Sequence, residues 1–183
     1  SKKIKFLTLF AFSTENWKRP KKEIKLLFRL LNNYIDNEIQ ELINQNVKIV
    51  IIGNLKKFPS TLKKKLTNIE KQTKNNIVLQ INLALNYGAR EEILRSIKLL
   101  SKRKLKINVK NFEKNLYSHK TPDPDILIRT GNTKRISNFL VWQIIYTEIF
   151  FEKKLWPDFK KKDYYKILNQ YKKIKRNFGG IHA

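Results

Sequence analysis

Short apolar segments alternate along this chain with longer segments in which apolar residues recur every three or four positions, and this alternation limits the possible folds most strongly. Apolar runs of strand length without a polar side indicate strands that are covered on both faces. The intervening segments have the spacing of amphipathic helices. The alternation predicts an α/β fold with a central, mostly parallel sheet and helices on both faces. The predicted strands are residues 4–12, 47–52, 77–85, 125–129 and 149–151, and the predicted helices are residues 22–46, 62–73, 90–102, 138–146 and 160–176.

Length and composition favour one folded domain. At about 150 residues per domain, a chain of 183 residues with no internal repeat or linker predicts a single domain over residues 1–183. An apolar fraction of 41% supplies a core and excludes a disordered chain. The absence of Cys excludes disulfides, thiolate metal sites and cysteine nucleophiles. The longest apolar run, residues 6–12, is too short for a membrane span and no secretory leader opens the sequence, so we expect a cytoplasmic protein.

The net charge of +25 comes mostly from lysine, since Arg supplies only 8 of the 40 basic residues. The lysines are scattered along the chain, whereas nucleic-acid-binding proteins concentrate basic residues on one face and combine them with aromatic residues or a reading helix. We therefore interpret the lysines as a solvated surface and expect no nucleic-acid partner. A positive field of this size still attracts anionic ligands, including phosphates and acidic lipid surfaces.

Ligands of parallel sheets bind beyond the carboxyl ends of the strands, so the loops at that edge are the first place to look for a site. Three predicted loops lie there: residues 13–20, 86–92 and 129–138. Half of the arginines fall in these loops, at positions 19, 90, 129 and 135. Lys stands at most other basic positions, so these arginines indicate places where a planar guanidinium group is needed.

The loop after the fourth predicted strand carries the strongest local signal. Arg129 leaves the strand, Gly131 permits a tight turn, Arg135 follows, and Ser137 is a good N-cap for the predicted helix over 138–146. Two guanidinium groups, a hydroxyl and helix N-terminal amides in one small volume are typical of a phosphate or diphosphate site. The alternative is an ordinary N-cap with arginines paired to surface carboxylates.

Glu148 follows this loop in an apolar context and allows two interpretations. A lone Glu at the end of a short helix is usually a surface or capping residue. Opposite a diphosphate it could instead hold Mg²⁺, which prefers carboxylate and phosphate oxygens. Spacing alone leaves both interpretations open.

Several other polar residues have simple structural explanations. Ser13 and Asn16 are common turn formers, because their side chains bond to local backbone groups. Trp17 is more often a packed lid than a ligand contact. The two aspartates that flank Pro124 favour a rigid turn leading into a strand over a paired-carboxylate site, and His119 is best interpreted as a loop histidine.

Long motifs of this chain resemble successive signatures of the cis-prenyltransferases, in particular of the bacterial undecaprenyl diphosphate synthase type. The similarity runs from about residue 4 to residue 180, in the order and spacing of that family. Motifs of this length are far more specific than a single glycine-rich loop. They are residues 10–20 (FAFSTENWKRP), 86–90 (NYGAR), 125–131 (DILIRTG), 135–143 (RISNFLVWQ), Glu148 and 155–159 (LWPDF).

This resemblance implies a homodimeric, Mg²⁺-dependent transferase of isoprenoid biosynthesis. Such an enzyme adds isopentenyl diphosphate units to an allylic diphosphate, commonly farnesyl diphosphate, and makes cis double bonds. The growing chain would lie in an apolar tunnel between the sheet and the helices. The polyprenyl diphosphate product would give the protein a peripheral contact with the inner membrane surface.

The resemblance also implies roles for individual residues. Asn16 stands where the family has its proposed proton acceptor, and because an amide is a poor base we expect it to position the proton transfer. Glu148 would be the Mg²⁺ ligand. The residues that would bind isopentenyl diphosphate are Arg129, Arg135, Ile136 and Ser137, and those that would line the substrate site are Ser13, Thr14, Glu15, Trp17 and Arg19.

The chain departs from the family pattern at a few positions. Lys134 stands where the bacterial enzymes often have His, and Asn132 stands where Gly is usual. The family's carboxyl-terminal Arg-x-Gly contact across the dimer corresponds here to Asn177 in place of Arg, with Arg176 adjacent. The sequence leaves open whether this departure weakens the cross-subunit diphosphate contact.

The largest departure concerns the start of the family pattern. The family begins with a strand and an Asp-Gly-Asn loop that holds Mg²⁺ and the allylic diphosphate, and residues 1–183 begin after that segment. We therefore expect residues 1–183 alone to be inactive. Two alternatives remain open: a catalytically inactive or truncated partner subunit, and a basic nucleic-acid-binding module, which would bind oligonucleotides with a steep salt dependence.

Overall fold

The computed structural model describes residues 4–176, which fall into two compact units that divide between Thr121 and Pro122. In the first unit the elements are β1 (Phe6–Ser13), α1 (Lys21–Asn44), β2 (Val47–Ile52), α2 (Ser60–Gln72), β3 (Leu79–Tyr87), α3 (Ala89–Lys102) and α4 (Val109–Glu113). In the second unit they are β4 (Ile126–Arg129), β5 (Glu148–Phe151) and α5 (Lys161–Tyr171). Short 3-10 segments cover Thr14–Lys18, Leu55–Lys57 and Trp156–Asp158.

Every strand pair among the described residues is parallel. In the first unit β3 lies in the middle of a three-stranded sheet in the order β1-β3-β2, and in the second unit β4 pairs with β5. Parallel neighbours need long crossovers, and α1 and α2 supply them between β1, β2 and β3. The predicted α/β fold of parallel strands and helices is therefore confirmed.

The core of the first unit lies between its sheet and the helices α1 and α2. Helix α1 buries Ile24 and Ile35, which are eleven residues, or about three turns, apart and therefore share a face. Helix α2 buries Leu62, Leu66 and Ile69 at the same kind of interval. Each fully buried aliphatic side chain contributes about 1.5–3 kcal/mol. These helices hold the carboxyl ends of the strands in place.

The other face of this sheet carries a polar network. Successive strand residues point to opposite faces, so Asn82 points away from the core that contains Ile81 and Leu83. Asn82 Nδ2 donates to Thr8 Oγ1 at 3.0 Å, and Gln80 Nε2 donates to Asn82 Oδ1 at 2.8 Å. Because Asn82 is only 1% exposed, these bonds avoid the cost of an unsatisfied buried amide.

The predicted helix over 138–146 is wrong. Residues 138–140 form bends and residues 141–146 form turns, and Ser137, Asn138 and Leu140 have positive φ angles of 54°, 61° and 45°, which a right-handed helix does not allow. A helix of nine residues depends on tertiary packing, and this segment leaves apolar side chains exposed, among them Ile145 at 74%. Ser137 therefore does not cap a helix.

The sequence interpretation also missed the short helix α4. Its N-cap Asn108 accepts a hydrogen bond from the Asn111 backbone N–H at 2.8 Å, and its one buried side chain is Phe112. None of the helices in residues 4–176 is both long and apolar enough to cross a membrane.

Candidate functional site

The loop after β1 begins with a hydrogen bond between Ser13 and Asn16. The Ser13 backbone N–H donates to Asn16 Oδ1 at 2.7 Å and so fixes the start of the 3-10 segment Thr14–Lys18. The interpretation of both residues as turn formers therefore describes their local role. The bond occupies the amide oxygen of Asn16, while no described residue accepts a hydrogen bond from its Nδ2, which is available to orient a substrate.

Trp17 is a packed residue, as the sequence interpretation preferred. Its ring lies 5.1 Å from that of Phe12, 5.8 Å from that of Phe28 and 6.1 Å from that of Phe58, in edge-to-face arrangements. Phe12 and Phe58 are buried in the core between sheet and helices. Trp17 itself is half-buried and closes this aromatic cluster at the carboxyl end of β1.

Asn86 connects two loops to the end of β3, at the carboxyl end of the sheet. Its Oδ1 accepts a hydrogen bond from Trp17 Nε1 at 2.7 Å, and its Nδ2 donates to the Asn54 carbonyl oxygen at 2.5 Å. Asn86 is 8% exposed and has a φ of 48°. Asn86 is part of the NYGAR motif, but the sequence analysis assigned it no role. An Asn at the end of a strand could have indicated a special position, because Asn tolerates a positive φ.

The residue after Asn86 is anchored by a buried carboxylate. Tyr87 donates its hydroxyl hydrogen to Glu92 Oε2 at 2.6 Å, and the Tyr117 backbone N–H donates to Glu92 Oε1 at 2.7 Å. The Arg95 guanidinium stacks on the Tyr117 ring at 4.2 Å. Burial is the main cause that raises the pKa of Tyr117, and so this phenol stays neutral. This network stabilises the start of α3.

Further predicted residues of the loop after β1 make local contacts near the surface. Arg19 Nη1 pairs with Glu23 Oε1 at 2.6 Å across one helical turn, and both side chains are nearly half exposed. Such a pair contributes about 0.3–0.5 kcal/mol. Thr14 Oγ1 donates to Glu15 Oε2 at 3.2 Å.

His119 lies in the turn after α4. Its Nδ1 is 3.0 Å from the Leu116 carbonyl oxygen, which agrees with its interpretation as a loop histidine.

The loop after β4 brings Arg129 and Ser137 together, as the sequence predicts. Arg129 Nε donates to Thr133 Oγ1 at 3.1 Å, and Arg129 Nη1 donates to Ser137 Oγ at 3.0 Å. Gly131 takes a φ of 91°, and its N–H donates to the Lys154 carbonyl oxygen at 2.7 Å. The loop thus folds over the end of β5 and orients one guanidinium. Thr133 was missed, although its position between Arg129 and Arg135 could have pointed to it.

Arg135 and Ile136 are the other two predicted binding residues of this loop. Arg135 is exposed and makes no hydrogen bond or ion pair with any residue of 4–176, and Ile136 is half-buried. The alternative in which both arginines pair with surface carboxylates is not what the described residues show: Arg129 bonds to hydroxyl groups, which leave its charge uncompensated. The loop therefore presents two cationic side chains and a hydroxyl to an anionic ligand.

Glu148 lies at the other end of the same strand pair. In the parallel register Ile126 is opposite Glu148 and Arg129 is opposite Phe151. Three residues at about 3.3 Å each separate Glu148 from the Arg129 end by about 10 Å. Among residues 4–176 no group of three His, Asp or Glu side chains could hold a metal ion. Glu148 can supply one carboxylate to Mg²⁺, and the other oxygens must come from a substrate or water.

Asp125 and Arg176 form an ion pair at the amino end of β4. Arg176 Nη1 lies 2.6 Å from Asp125 Oδ1 and donates to the Tyr171 hydroxyl at 3.0 Å, while Nη2 donates to the Tyr146 carbonyl oxygen at 2.9 Å. The interpretation of this aspartate as part of a rigid turn is consistent with these contacts. Asn177, which replaces the family's Arg, lies outside the described residues.

Comparison with known proteins identifies close relatives. A prenyltransferase family model, described as undecaprenyl diphosphate synthase, matches residues 1–179. An isoprenyl transferase of Clostridium tetani is 45% identical over 97% of this chain and 72% of that protein. An isoprenyl transferase of Thermotoga maritima is 42% identical over 97% of this chain and 78% of that protein.

Two solved structures share the fold. The crystal structure of a protein described as a probable undecaprenyl diphosphate synthase from Campylobacter jejuni superimposes with a TM-score of 0.89 at 41% identity, over 96% of this chain and 84% of that one. Lavandulyl diphosphate synthase from Lavandula x intermedia, solved with dimethylallyl diphosphate, gives a TM-score of 0.90 at 31% identity, over 97% of this chain and 80% of that one.

Proposed function

Because the chain belongs to the cis-prenyltransferase family, we propose that it condenses isopentenyl diphosphate with an allylic diphosphate of the farnesyl type to make a cis-polyprenyl diphosphate. The observation that carries this proposal is the loop that brings Arg129, Thr133 and Ser137 together. Two hydroxyl groups orient the Arg129 guanidinium, and Arg135 is exposed in the same loop. Such an arrangement is suited to binding a diphosphate.

The chemistry requires charge stabilisation at two diphosphates. The allylic C–O bond breaks and its electron pair leaves with the diphosphate, while the π electrons of isopentenyl diphosphate form the new bond to the allylic carbon. A proton then passes from C2 of the isopentenyl unit to a diphosphate oxygen, and the C–H electron pair forms the new double bond. Arg129, Arg135 and Ser137 would hold isopentenyl diphosphate in place for that attack. Asn16 would orient the proton transfer through its amide Nδ2, since Oδ1 already accepts the Ser13 N–H.

Mg²⁺ fits this proposal as a partner of the substrate. When bound, the ion would neutralise charge on a diphosphate and so favour its departure. Glu148 is the residue of this chain that we assign to it, with phosphate oxygens and water as the other ligands. Glu148 is the first residue of β5, and the neighbouring carboxylate of Asp125 is already paired with Arg176.

An apolar tunnel for the growing chain is part of the same proposal. The face of α1 that packs toward the sheet carries partly buried apolar side chains, among them Leu27, Phe28 and Leu31. We assign these side chains to the wall along which the isoprenoid extends.

We further propose that the enzyme works as a homodimer in the cytoplasm and releases its product at the inner membrane surface. The product is a lipid, so its release requires contact with a membrane. A net charge of +25 favours an acidic lipid surface.

A transfer assay tests the proposed function. Purified full-length protein is incubated with radiolabelled isopentenyl diphosphate, farnesyl diphosphate and Mg²⁺, and extracted polyprenyl products are separated by chain length. We expect elongated products in steps of one isopentenyl unit. Absence of any transfer, with both substrates bound, would favour the inactive partner subunit, and steeply salt-dependent oligonucleotide binding would favour the nucleic-acid module.

A further inference from the structure

Two separate loops at the carboxyl end of the first unit's sheet are tied to the end of β3 by one side chain, that of Asn86. Trp17 belongs to the loop after β1, Asn54 to the loop after β2, and Asn86 itself is the penultimate residue of β3. The backbone adds a second link, because the Asn54 N–H donates to the Asn86 carbonyl oxygen at 3.2 Å. Loss of the Asn86 amide would therefore loosen both loops together.

The two bonds of this amide require opposite chemistry at its two ends. Oδ1 must accept the Trp17 indole N–H, and Nδ2 must donate to the Asn54 carbonyl oxygen. A carboxylate of the same size has no donor, and a hydroxyl cannot reach both partners. The φ of 48° adds a backbone requirement that Asn meets at little cost. Asn is therefore the residue whose chemistry and backbone preference both fit this position.

The Trp17 indole in turn holds the segment that carries Asn16. The 3-10 segment Thr14–Lys18 has only five residues, and a segment this short has little stability of its own. It is fixed at one end by the bond between the Ser13 N–H and Asn16, and at the other by the Trp17 ring. The ring packs against Phe12 and Phe28, and the hydrogen bond from its N–H to Asn86 adds a directional contact that fixes its rotation.

We propose that Asn86 is a positioning residue of the prenyl transfer, which acts by holding the Trp17 indole and through it the orientation of Asn16. This inference rests on the proposed function, because it assigns Asn86 a task in that reaction. It assigns Asn86 no contact with substrate. The expected signature is a lower kcat with a nearly unchanged KM for isopentenyl diphosphate, because the residues assigned to that diphosphate lie in the second unit.

Asn86→Gly is the variant that tests this role, since Gly keeps the positive φ and removes the amide. We expect kcat to fall at least about tenfold, since small displacements of groups at a reacting centre have large effects on rate. In protein labelled with 5-fluorotryptophan, the Trp17 fluorine resonance should shift, whereas those of Trp142 and Trp156 should not. Trp17→Phe identifies the resonance and keeps an aromatic ring in the cluster.

Asn46→Gly is the matched control. Asn46 also has a positive φ, 58°, and its Oδ1 accepts the Ile77 N–H at 3.1 Å, but it lies at the amino end of the sheet. It should lower thermal stability without changing kcat. In the Trp17→Phe background, Asn86→Gly should lower kcat by less than twofold, because the bond it acts through is already gone.

The outcomes separate this inference from the proposed function. Absence of transfer by the unmutated protein would overturn the proposed function and this role with it. A normal kcat in Asn86→Gly would overturn this role alone. The same conclusion would follow if Asn86→Gly lowered kcat equally in the parent protein and in the Trp17→Phe background. An equal fall in the Asn46→Gly control would reduce Asn86 to a stabilising residue.

Discussion

Arg129 has five N–H donors, and two of them are already committed to the protein. Nε donates to Thr133 and one hydrogen of Nη1 donates to Ser137, which leaves three N–H groups for a ligand. The internal bonds fix the plane of the guanidinium before a ligand arrives. Less side-chain entropy is then lost on binding than for an unrestrained Arg.

Thr133 should matter through this orientation. Thr133→Val keeps the shape of the side chain and removes the hydroxyl that accepts the Arg129 Nε–H. We expect the dissociation constant for isopentenyl diphosphate to rise about five- to tenfold, corresponding to about 1–1.4 kcal/mol for one hydrogen bond to a charged group. Isothermal titration measures it. Thr133→Ser keeps the hydroxyl and should bind normally, and equal affinity of the Val and Ser variants would show that the hydroxyl has no such role.

Glu148 should matter through the metal. Glu148→Gln keeps the size of the side chain and removes the charge that a hard cation needs. We expect half-maximal transfer to require at least about fivefold more Mg²⁺, since a neutral amide is a weaker ligand. Glu152→Gln is the control, because Glu152 follows the carboxyl end of β5 and accepts the Lys153 N–H. Superimposable Mg²⁺ titrations of parent and Glu148→Gln would assign Glu148 a structural role.

For single residues, the sequence predicts a role when the role follows from the chemistry of the residue and its near neighbours. It does not predict a role that depends on a partner far away in the chain. The convergence of Arg129 and Ser137 was predictable, because one short loop connects them. The link from Asn86 to Trp17 was not predictable, because 69 residues separate the two side chains. Neither an Asn nor a Trp indicates by itself that such a hydrogen bond forms.

Among the elements, the turn after β2 is the most tightly constrained. Gly53 has a φ of 124°, and a Cβ at this position would lie 2.1 Å from the Leu85 carbonyl oxygen. This turn carries Asn54, the backbone partner of Asn86. Gly is therefore required at position 53 for two reasons: the positive φ of the turn, and the lack of space for a Cβ where the turn after β2 approaches β3.

Gly53→Ala should destabilise the fold strongly. The substitution combines an unfavourable φ, which costs about 1–3 kcal/mol, with a clash against backbone that cannot move cheaply. Gly131→Ala is the control, because Gly131 also has a positive φ, 91°, but a Cβ there would have no atom within 4 Å. Urea unfolding of both variants should show a clearly larger loss for Gly53→Ala. Equal losses would mean that the turn adjusts to the added methyl group.

The elements that periodicity predicted well are those with a long apolar stripe. Residues 22–46 were predicted as helix and α1 covers Lys21–Asn44, because apolar residues that pack on the core recur from Ile24 to Leu42, over about five turns. The segment 138–146 has apolar residues at helical spacing too, but the left-handed backbone at Ser137 and Leu140 depends on contacts that spacing does not reveal. Helix α4, with five residues, is too short to show a period.

At the scale of the whole molecule, β1 pairs with β3 alone among the described residues, so one long side of β1 has no strand partner there. An apolar strand with an unpaired edge tends to recruit another strand. The open edge of β1 is therefore the side of this sheet at which a further strand can pair.

The most direct test of the central claim, that the Arg129 loop binds the diphosphate of isopentenyl diphosphate, is an isothermal titration of that ligand into Arg129→Lys and Arg29→Lys. A lysine keeps the charge but cannot reproduce a planar fork, so the Arg129 variant should bind at least about tenfold more weakly, equivalent to about 1.4 kcal/mol. Arg29 is exposed on α1, and its variant carries the same change of residue type with the same net charge. It should bind as the parent does. Unchanged affinity in Arg129→Lys, or an equal loss in both variants, would contradict the account.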